Sequence, residues 1–368
     1  MWRVNPQTHC PDKLVFVQRD YLKGGSFPII FERVNMTSYT SDMHRMVMEF
    51  PELLTKLKID QDTKKTCNRI GNSGLEGIVT LGMGGSAIAG LYVQALFRNS
   101  SPIPIVANRE YTLPKYVDSD WSAVAVSYSG NTEETLTACN EAIRRNCRLI
   151  AVGSGGKLLE KSEILTKIKI PAGYQPRAAF PLLFTAVLNI VECLLGAEVT
   201  DLAEISETLS RRLTQWEDSR LAPKILAQDL AGTIPVFIGS RNLVPVAYRA
   251  KCQINENAKG LAFFSKIPEA NHNEIESFVA ENKSNIKPVF LRSSYEGDRI
   301  KKRIDITTSL YEEEGFSPVS LSIEGSSEIE EMLAFTYYLD LVSVELAQIR
   351  GVDPLSVERI SRLKNALG

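Results

Sequence analysis

Short runs of apolar and β-branched residues recur along most of the chain, and between them apolar positions fall three or four residues apart. The short runs lie at 77–81 (GIVTL), 103–107 (IPIVA), 122–126 (SAVAV) and 148–153 (RLIAVG). They read as strands, because they are nearly continuous in apolar character and only a few residues long. The stretches 82–97, 133–145 and 176–195 read as helices. The last is apolar almost all round, which predicts a buried helix. A polar helical stretch follows at about 199–231, and the pattern then restarts. Strands are predicted at 234–239, 287–293 and 317–323, with helices at 240–259, 298–315 and 326–350 and a short tail helix at 353–368. Strands alternating with helices of this length predict an α/β fold, with parallel sheets covered by helices on both faces. The two halves read as one architecture used twice.

A length of 368 residues suits two domains at roughly 100–200 residues each. The boundaries are expected at 36–205 and 206–352, with the tail helix at 353–368 beyond them. Residues 1–35 mix Pro, Gly, Asn and Lys with short apolar pieces and show no sustained period. A helix start at Met36, with Thr, Ser and Asp as capping candidates, marks them off as a dispensable extension. Composition narrows the partners. With 42 basic and 44 acidic residues, a nucleic-acid or membrane surface is not favoured. No apolar run is expected to reach the roughly 20 residues that span a bilayer, and the N-terminus lacks a secretory core. The six cysteines, Cys10, Cys67, Cys139, Cys147, Cys193 and Cys252, include no CxxC pair. In a chain this long they read as free thiols in a reducing cytoplasm. Three scattered histidines make a poor metal-ligand set.

Two loops carry candidate chemistry. Gly82-Met83-Gly84-Gly85-Ser86 links a strand to a helix, and Ser127-Tyr128-Ser129-Gly130-Asn131-Thr132 does the same further on. In a doubly wound sheet both lie at the carboxyl ends of strands, where ligands bind. Helix N-termini there present unpaired N–H groups, glycine allows close approach, and hydroxyls add donors. Either loop alone fits an ordinary helix cap. Together they point to an anion such as a phosphate ester. Gly82, Gly84 and Ala87 also fit a GxGxxA dinucleotide spacing, but the acidic residue it requires, Glu110, comes late, and no GxxxxGK[ST] occurs.

The segments GMGGSAIAG (82–90), SYSGNTEET (127–135), QPRAA (175–179), NENAKG (255–260) and NHNEI (271–275) resemble the sugar isomerase (SIS) domain family. More closely, the chain from about Met36 to Gly368 resembles the bifunctional phosphoglucose/phosphomannose isomerases of archaea and some bacteria. The resemblance implies two SIS domains and interconversion of a 6-phosphorylated aldose with its ketose through a cis-enediolate, with no metal or organic cofactor. It implies a homodimer. It places the substrate phosphate on Ser86, Ser127, Ser129 and Thr132, with Gly84 and Gly85 giving backbone access. Glu256 becomes the base, Arg177 the stabiliser of the enediolate oxygens, and Lys364 an assistant near the ring oxygen. His272, which helps open the ring, comes from the partner subunit.

Elementary chemistry agrees with three of these assignments. Glu256 is expected in the last turn of its helix before Gly260, a candidate C-cap, where the dipole disfavours a carboxylate and makes it a better base. His272 is expected at the start of a helix EIESF, capped by Asn271 or Asn273, where a positive helix end favours neutral imidazole. Arg177 opens an apolar helix and has little reason to be there without an anion to face. Lys364 lies near a chain end, where lysines are usually solvated. Three competitors remain: an isomerase of narrower substrate range, a non-catalytic sugar-phosphate sensor, and a nicotinamide oxidoreductase built on the first loop.

Overall fold

The structure is a computed structural model that describes residues 36–279 and 285–367, and these fall in one compact unit starting at Met36. The expectation for residues 1–35 lies outside the described residues. Helices α1 (Met36–Met48), α2 (Phe50–Thr55) and α3 (Gln61–Gly71) lead in. The single helix expected after Met36 breaks at Glu49, and Pro51 then sits in the first turn of α2, where its missing N–H is tolerated. The sequence reading assigned no element at α3. It buries only Thr63, Cys67 and Ile70, so its apolar stripe is thin, and Asp60 caps it by accepting from the Thr63 N–H at 2.7 Å.

Strands β1 (Gly77–Leu81), β2 (Ile105–Asn108), β3 (Trp121–Val126), β4 (Arg148–Gly153) and β5 (Thr166–Lys169) form a parallel sheet in the order β2-β1-β3-β4-β5. Every residue of β1 and β3 is buried, as central strands covered on both faces require. Edge strand β5 was not predicted, because only Ile168 of its four residues points inward. Helices α4 (Gly84–Leu96), α5 (Glu133–Arg144) and α6 (Gly156–Glu160) connect the strands. The buried helix α7 (Phe180–Leu194) follows; its expected first turn, residues 176–179, is a non-helical approach.

The polar stretch resolves into two helices, α8 (Ala203–Glu217) and α9 (Pro223–Leu230). Strands β6 (Ile234–Ser240), β7 (Phe263–Ile267), β8 (Ile286–Arg292) and β9 (Val319–Ser322) then form a second parallel sheet in the order β7-β6-β8-β9. That order repeats the first four strands of the first sheet. β7 was missed, as its exposed Phe263 and Phe264 lie at an edge. Helices α10 (Leu243–Glu256), α11 (Asp298–Glu313), α12 (Glu328–Arg350) and α13 (Glu358–Leu367) complete the chain. By length and composition α12 is apolar enough to cross a membrane, contrary to the expectation from the sequence. Of its most apolar window 83% is buried inside the fold, so it is a core helix here. A single apolar cluster unites α4, α7, α10 and α12 between the two sheets, and smaller clusters lie under the outer helices.

Candidate active site

The first sheet reverses its strand order between β1 and β3, and a crevice opens at the carboxyl ends of strands at such a point. Both predicted loops leave these two strands. Met83 precedes α4 with no side-chain cap, which leaves the N–H groups of Gly84 and Gly85 free to meet an anion. Gly84 has φ +52°, a left-handed conformation that suits glycine. α5 begins after Thr132, again without a side-chain cap. The two loops touch: the Tyr128 N–H donates to Ser86 Oγ at 3.4 Å. Ser127 is fully buried, with its hydroxyl 3.0 Å from that of Thr132 and accepting from the Gly130 N–H at 3.1 Å. Ser129 is exposed at the loop tip, with its hydroxyl accepting from the Asn131 N–H at 3.3 Å, and Thr132 is half-buried.

Arg177 borders the first loop. A Cβ on Gly85 would come within 3.2 Å of the Pro176 carbonyl oxygen and 3.5 Å of Arg177 Cα, so the two segments lie in close contact here. The Arg177 side chain is 4% exposed, and its guanidinium is tied on all sides. Nε donates to Asn257 Oδ1 at 2.6 Å, Nη1 to Gln175 Oε1 at 3.3 Å, and Nη2 to the Pro354 carbonyl. Nη1 also stands 3.8 Å from Glu256 Oε2. Burial pulls the Arg177 pKa below its ordinary value, and the Glu256 carboxylate opposes this.

Glu256 is the last residue of α10, as expected, and its side chain is 30% exposed. The residue in left-handed conformation beyond the helix is Lys259, at φ +52°, rather than Gly260. The Arg350 guanidinium packs over Gly260, 2.0 Å from where a Cβ would be, so a larger residue there would displace the end of that side chain. The Gly260 N–H does turn back to the Ile254 carbonyl at 3.2 Å. Lys259 Nζ donates to the Glu256 carbonyl and to the Ser356 carbonyl, the latter at 2.6 Å. Burial, and then the neighbouring Arg177 charge, lower the Lys259 pKa.

His272 stands apart. β6 runs to the carboxyl edge of the second sheet, α10 returns, and β7 runs out again. Glu256 therefore lies at the amino edge and His272, just past β7, at the carboxyl edge. The length of β7, about 16 Å at 3.3 Å per residue, separates them. The expected α-helix EIESF is instead a 3-10 turn, Glu274–Val279, and His272 ends a preceding one, Glu269–His272. Asn273 caps the second turn by accepting from the Glu274 N–H at 2.6 Å. His272 is exposed. Lys364 lies on α13, none of whose residues is buried, and it forms no ion pair among the described residues. The tail reaches the site through its backbone instead, in the Pro354 and Ser356 carbonyls that hold Arg177 and Lys259.

Three residues escaped the sequence reading. Arg249 on α10 and Asp340 on α12 form a buried two-bond pair, at 3.1 and 2.6 Å, and Arg249 Nη2 also donates to the Arg177 carbonyl at 2.9 Å. Asn257, which accepts from Arg177, donates to Ser343 Oγ at 2.8 Å. The available signal was a charge inside an apolar run, Asp340 within YYLDLVSV. Among the described residues no three His, Cys, Asp or Glu side chains are grouped to hold a metal ion.

Comparisons with known proteins agree on one group. A family profile for the bacterial phospho-glucose isomerase C-terminal SIS domain matches residues 222–367. The D-glucosamine-6-phosphate 4-epimerase of Sulfolobus acidocaldarius is 35% identical over 294 residues, 78% of this chain and 88% of that one. Among solved structures, the C-terminal domain of glucosamine-fructose-6-phosphate aminotransferase from Francisella tularensis has a TM-score of 0.65 at 15% identity, covering 88% of this chain and 98% of the other, and so shares its fold. A bifunctional phosphoglucose/phosphomannose isomerase from Aquifex aeolicus (strain VF5) is 38% identical over 297 residues, 79% of this chain and 90% of its own length. At that identity over most of both chains, this protein belongs to the bifunctional phosphoglucose/phosphomannose isomerase family.

Proposed function

We propose that the protein is an aldose–ketose isomerase that interconverts fructose 6-phosphate with glucose 6-phosphate and mannose 6-phosphate. The observation that carries this reading is the Arg177–Glu256 pair, 3.8 Å apart, set beside the uncapped turn at Gly85. It brings a carboxylate, a fixed positive charge and an anion cradle to one crevice. The phosphate binds at the N-termini of α4 and α5, through the N–H groups of Gly84 and Gly85 and the hydroxyls of Ser129 and Thr132. Ser86 and Ser127 hold the loops and turn their hydroxyls to the phosphate as it enters.

Glu256 takes the proton from C2 of the open-chain aldose. The electrons move toward the C1 oxygen and the enediolate forms; the C2 hydroxyl proton passes to the C1 oxygen, and as the C2 carbonyl forms the carboxylate returns the first proton to C1. Arg177 lies where charge develops on the enediolate oxygens and needs no reorganisation to stabilise it. The family resemblance gives Lys364 a role near the ring oxygen, which requires the exposed helix α13 to close over the bound sugar. Ring opening falls to His272 of the partner subunit, because within one chain the depth of the second sheet separates His272 from Glu256. The working unit is thus a homodimer. Free thiols at Cys67, Cys139, Cys147, Cys193 and Cys252 suit a cytoplasmic setting.

The test uses purified protein, chelator and fructose 6-phosphate, with the products resolved. Glucose 6-phosphate and mannose 6-phosphate forming at comparable rates is the expected result. One product alone would leave an isomerase of narrower range. Neither product, from folded protein that still binds the sugar phosphate, would overturn the reading in favour of a sensor.

A further inference from the structure

A second cavity has a volume of about 640 Å³. It lies between the α2–α3 connection, α7, and the segment leading into α8. Asn189 belongs to its lining, about 14 Å further along α7 than Phe180 at 1.5 Å per residue. This places it well away from Arg177. We propose that this cavity is a binding site for a small organic anion, a carboxylate or a phosphate monoester.

Two independent features point to a ligand. Asn189 is 7% exposed, and its amide has no hydrogen-bond partner among the described residues. An amide offers two donors and an acceptor, and this one opens into the cavity instead of being sealed in the core. The second feature is charge. Lys64 is half-buried in the lining and Lys58 stands at the rim, and neither has a carboxylate partner among the described residues. Two nearby carboxylates already accept hydrogen bonds from within the chain. Asp201, also in the lining, accepts from the Ala203 N–H at 2.9 Å, and Glu192 accepts from the Thr200 N–H at 3.0 Å and from its hydroxyl. The lining thus carries two lysines and an unpaired amide against one carboxylate, Asp201, which leaves a net positive balance. Leu57, Ile59, Val199 and Leu202 supply apolar wall for a carbon skeleton. An anionic head meets Lys64 and Lys58, and a hydroxyl or carbonyl of the same ligand meets Asn189.

Equilibrium titration of the full chain with two probes tests this, citrate for carboxylates and inorganic phosphate for phosphates. Lys64→Met and Asn189→Leu address the cavity, and Ser129→Ala with Thr132→Val addresses the crevice. Thermal melting without ligand first confirms that each variant is folded. At least one probe should bind the wild type and the crevice variant alike, and about tenfold or more weaker to each cavity variant, the loss expected when a hydrogen bond to a charged group goes. Which probe binds identifies the class. No binding of either probe up to about 10 mM, a limit near −3 kcal/mol, would overturn the proposal. So would binding that survives both cavity variants and disappears in the crevice variant.

Discussion

Arg177 cannot swing. Its three nitrogens are held by Asn257, Gln175 and the Pro354 carbonyl, and its own carbonyl is held by Arg249. Side-chain entropy that a surface arginine would lose on meeting an anion is therefore lost already on folding. Glu256, by contrast, is partly exposed at a helix end and close to Arg177 on one side only. This pairing of a fixed cation with an accessible carboxylate suits a base that must reach substrate. Glu256→Gln keeps the shape and removes the proton acceptor. It should leave KM and melting temperature nearly unchanged and lower kcat by roughly 10²–10⁴-fold, the usual range for a general base. Steady-state kinetics of the variant decide it, and a near-normal kcat would take the role from Glu256.

The loop after β3 works as an element. Gly130 has φ +68°, and a Cβ there would stand 1.8 Å from the Gly155 carbonyl oxygen. The neighbouring segment is locked to the loop, since Ser154 Oγ donates to the Tyr128 carbonyl at 2.6 Å and the Leu158 N–H to the Gly130 carbonyl at 2.9 Å. Gly130→Ala cannot relax without moving both. The left-handed conformation alone costs about 1–2 kcal/mol for a residue with a Cβ. The variant should melt several degrees lower and show a raised KM for fructose 6-phosphate, and an unchanged KM would separate this loop from the phosphate. Such a loop is legible in a sequence because strand, Gly-rich turn and helix are contiguous. The buried strands β1, β3 and β4 were legible for the same local reason. Edge strands β5 and β7 were not, since one inward residue, or two exposed phenylalanines, leaves no period to read. The Arg249–Asp340 and Arg177–Asn257 contacts were beyond reach too: they join α10 to α12 and to the approach to α7, and a single sequence carries no distance between such positions. The second sheet shows why one architecture used twice yields one crevice. At its equivalent switch point, Glu331 accepts from the Ser294 N–H at 2.7 Å and from the Ser293 hydroxyl. A carboxylate of the chain itself fills the loop after β8, the counterpart of the loop after β3 proposed to hold the phosphate.

At the scale of the whole molecule, the repeated topology sets apart Glu256 and His272, the two residues proposed to handle the sugar. A chain that runs out along β6, back along α10 and out again along β7 must leave Glu256 and His272 at opposite edges of the second sheet. A site that uses both draws on two chains, and two-fold symmetry then builds two identical sites. Mixing His272→Ala with Glu256→Gln tests this directly. In the mixed dimer one site combines both altered residues and is dead, and the other combines the unaltered Glu256 of one chain with the unaltered His272 of the other. Equal mixing with free exchange makes about half of the dimers mixed, each with one working site, so recovery to roughly a quarter of wild-type activity is expected. If both residues served one chain, no combination would restore a complete site, and activity would stay at the average of the two parents. Mass spectrometry of differently tagged chains shows whether subunits exchanged. With exchange demonstrated, activity at the parental average would place His272 outside the shared site.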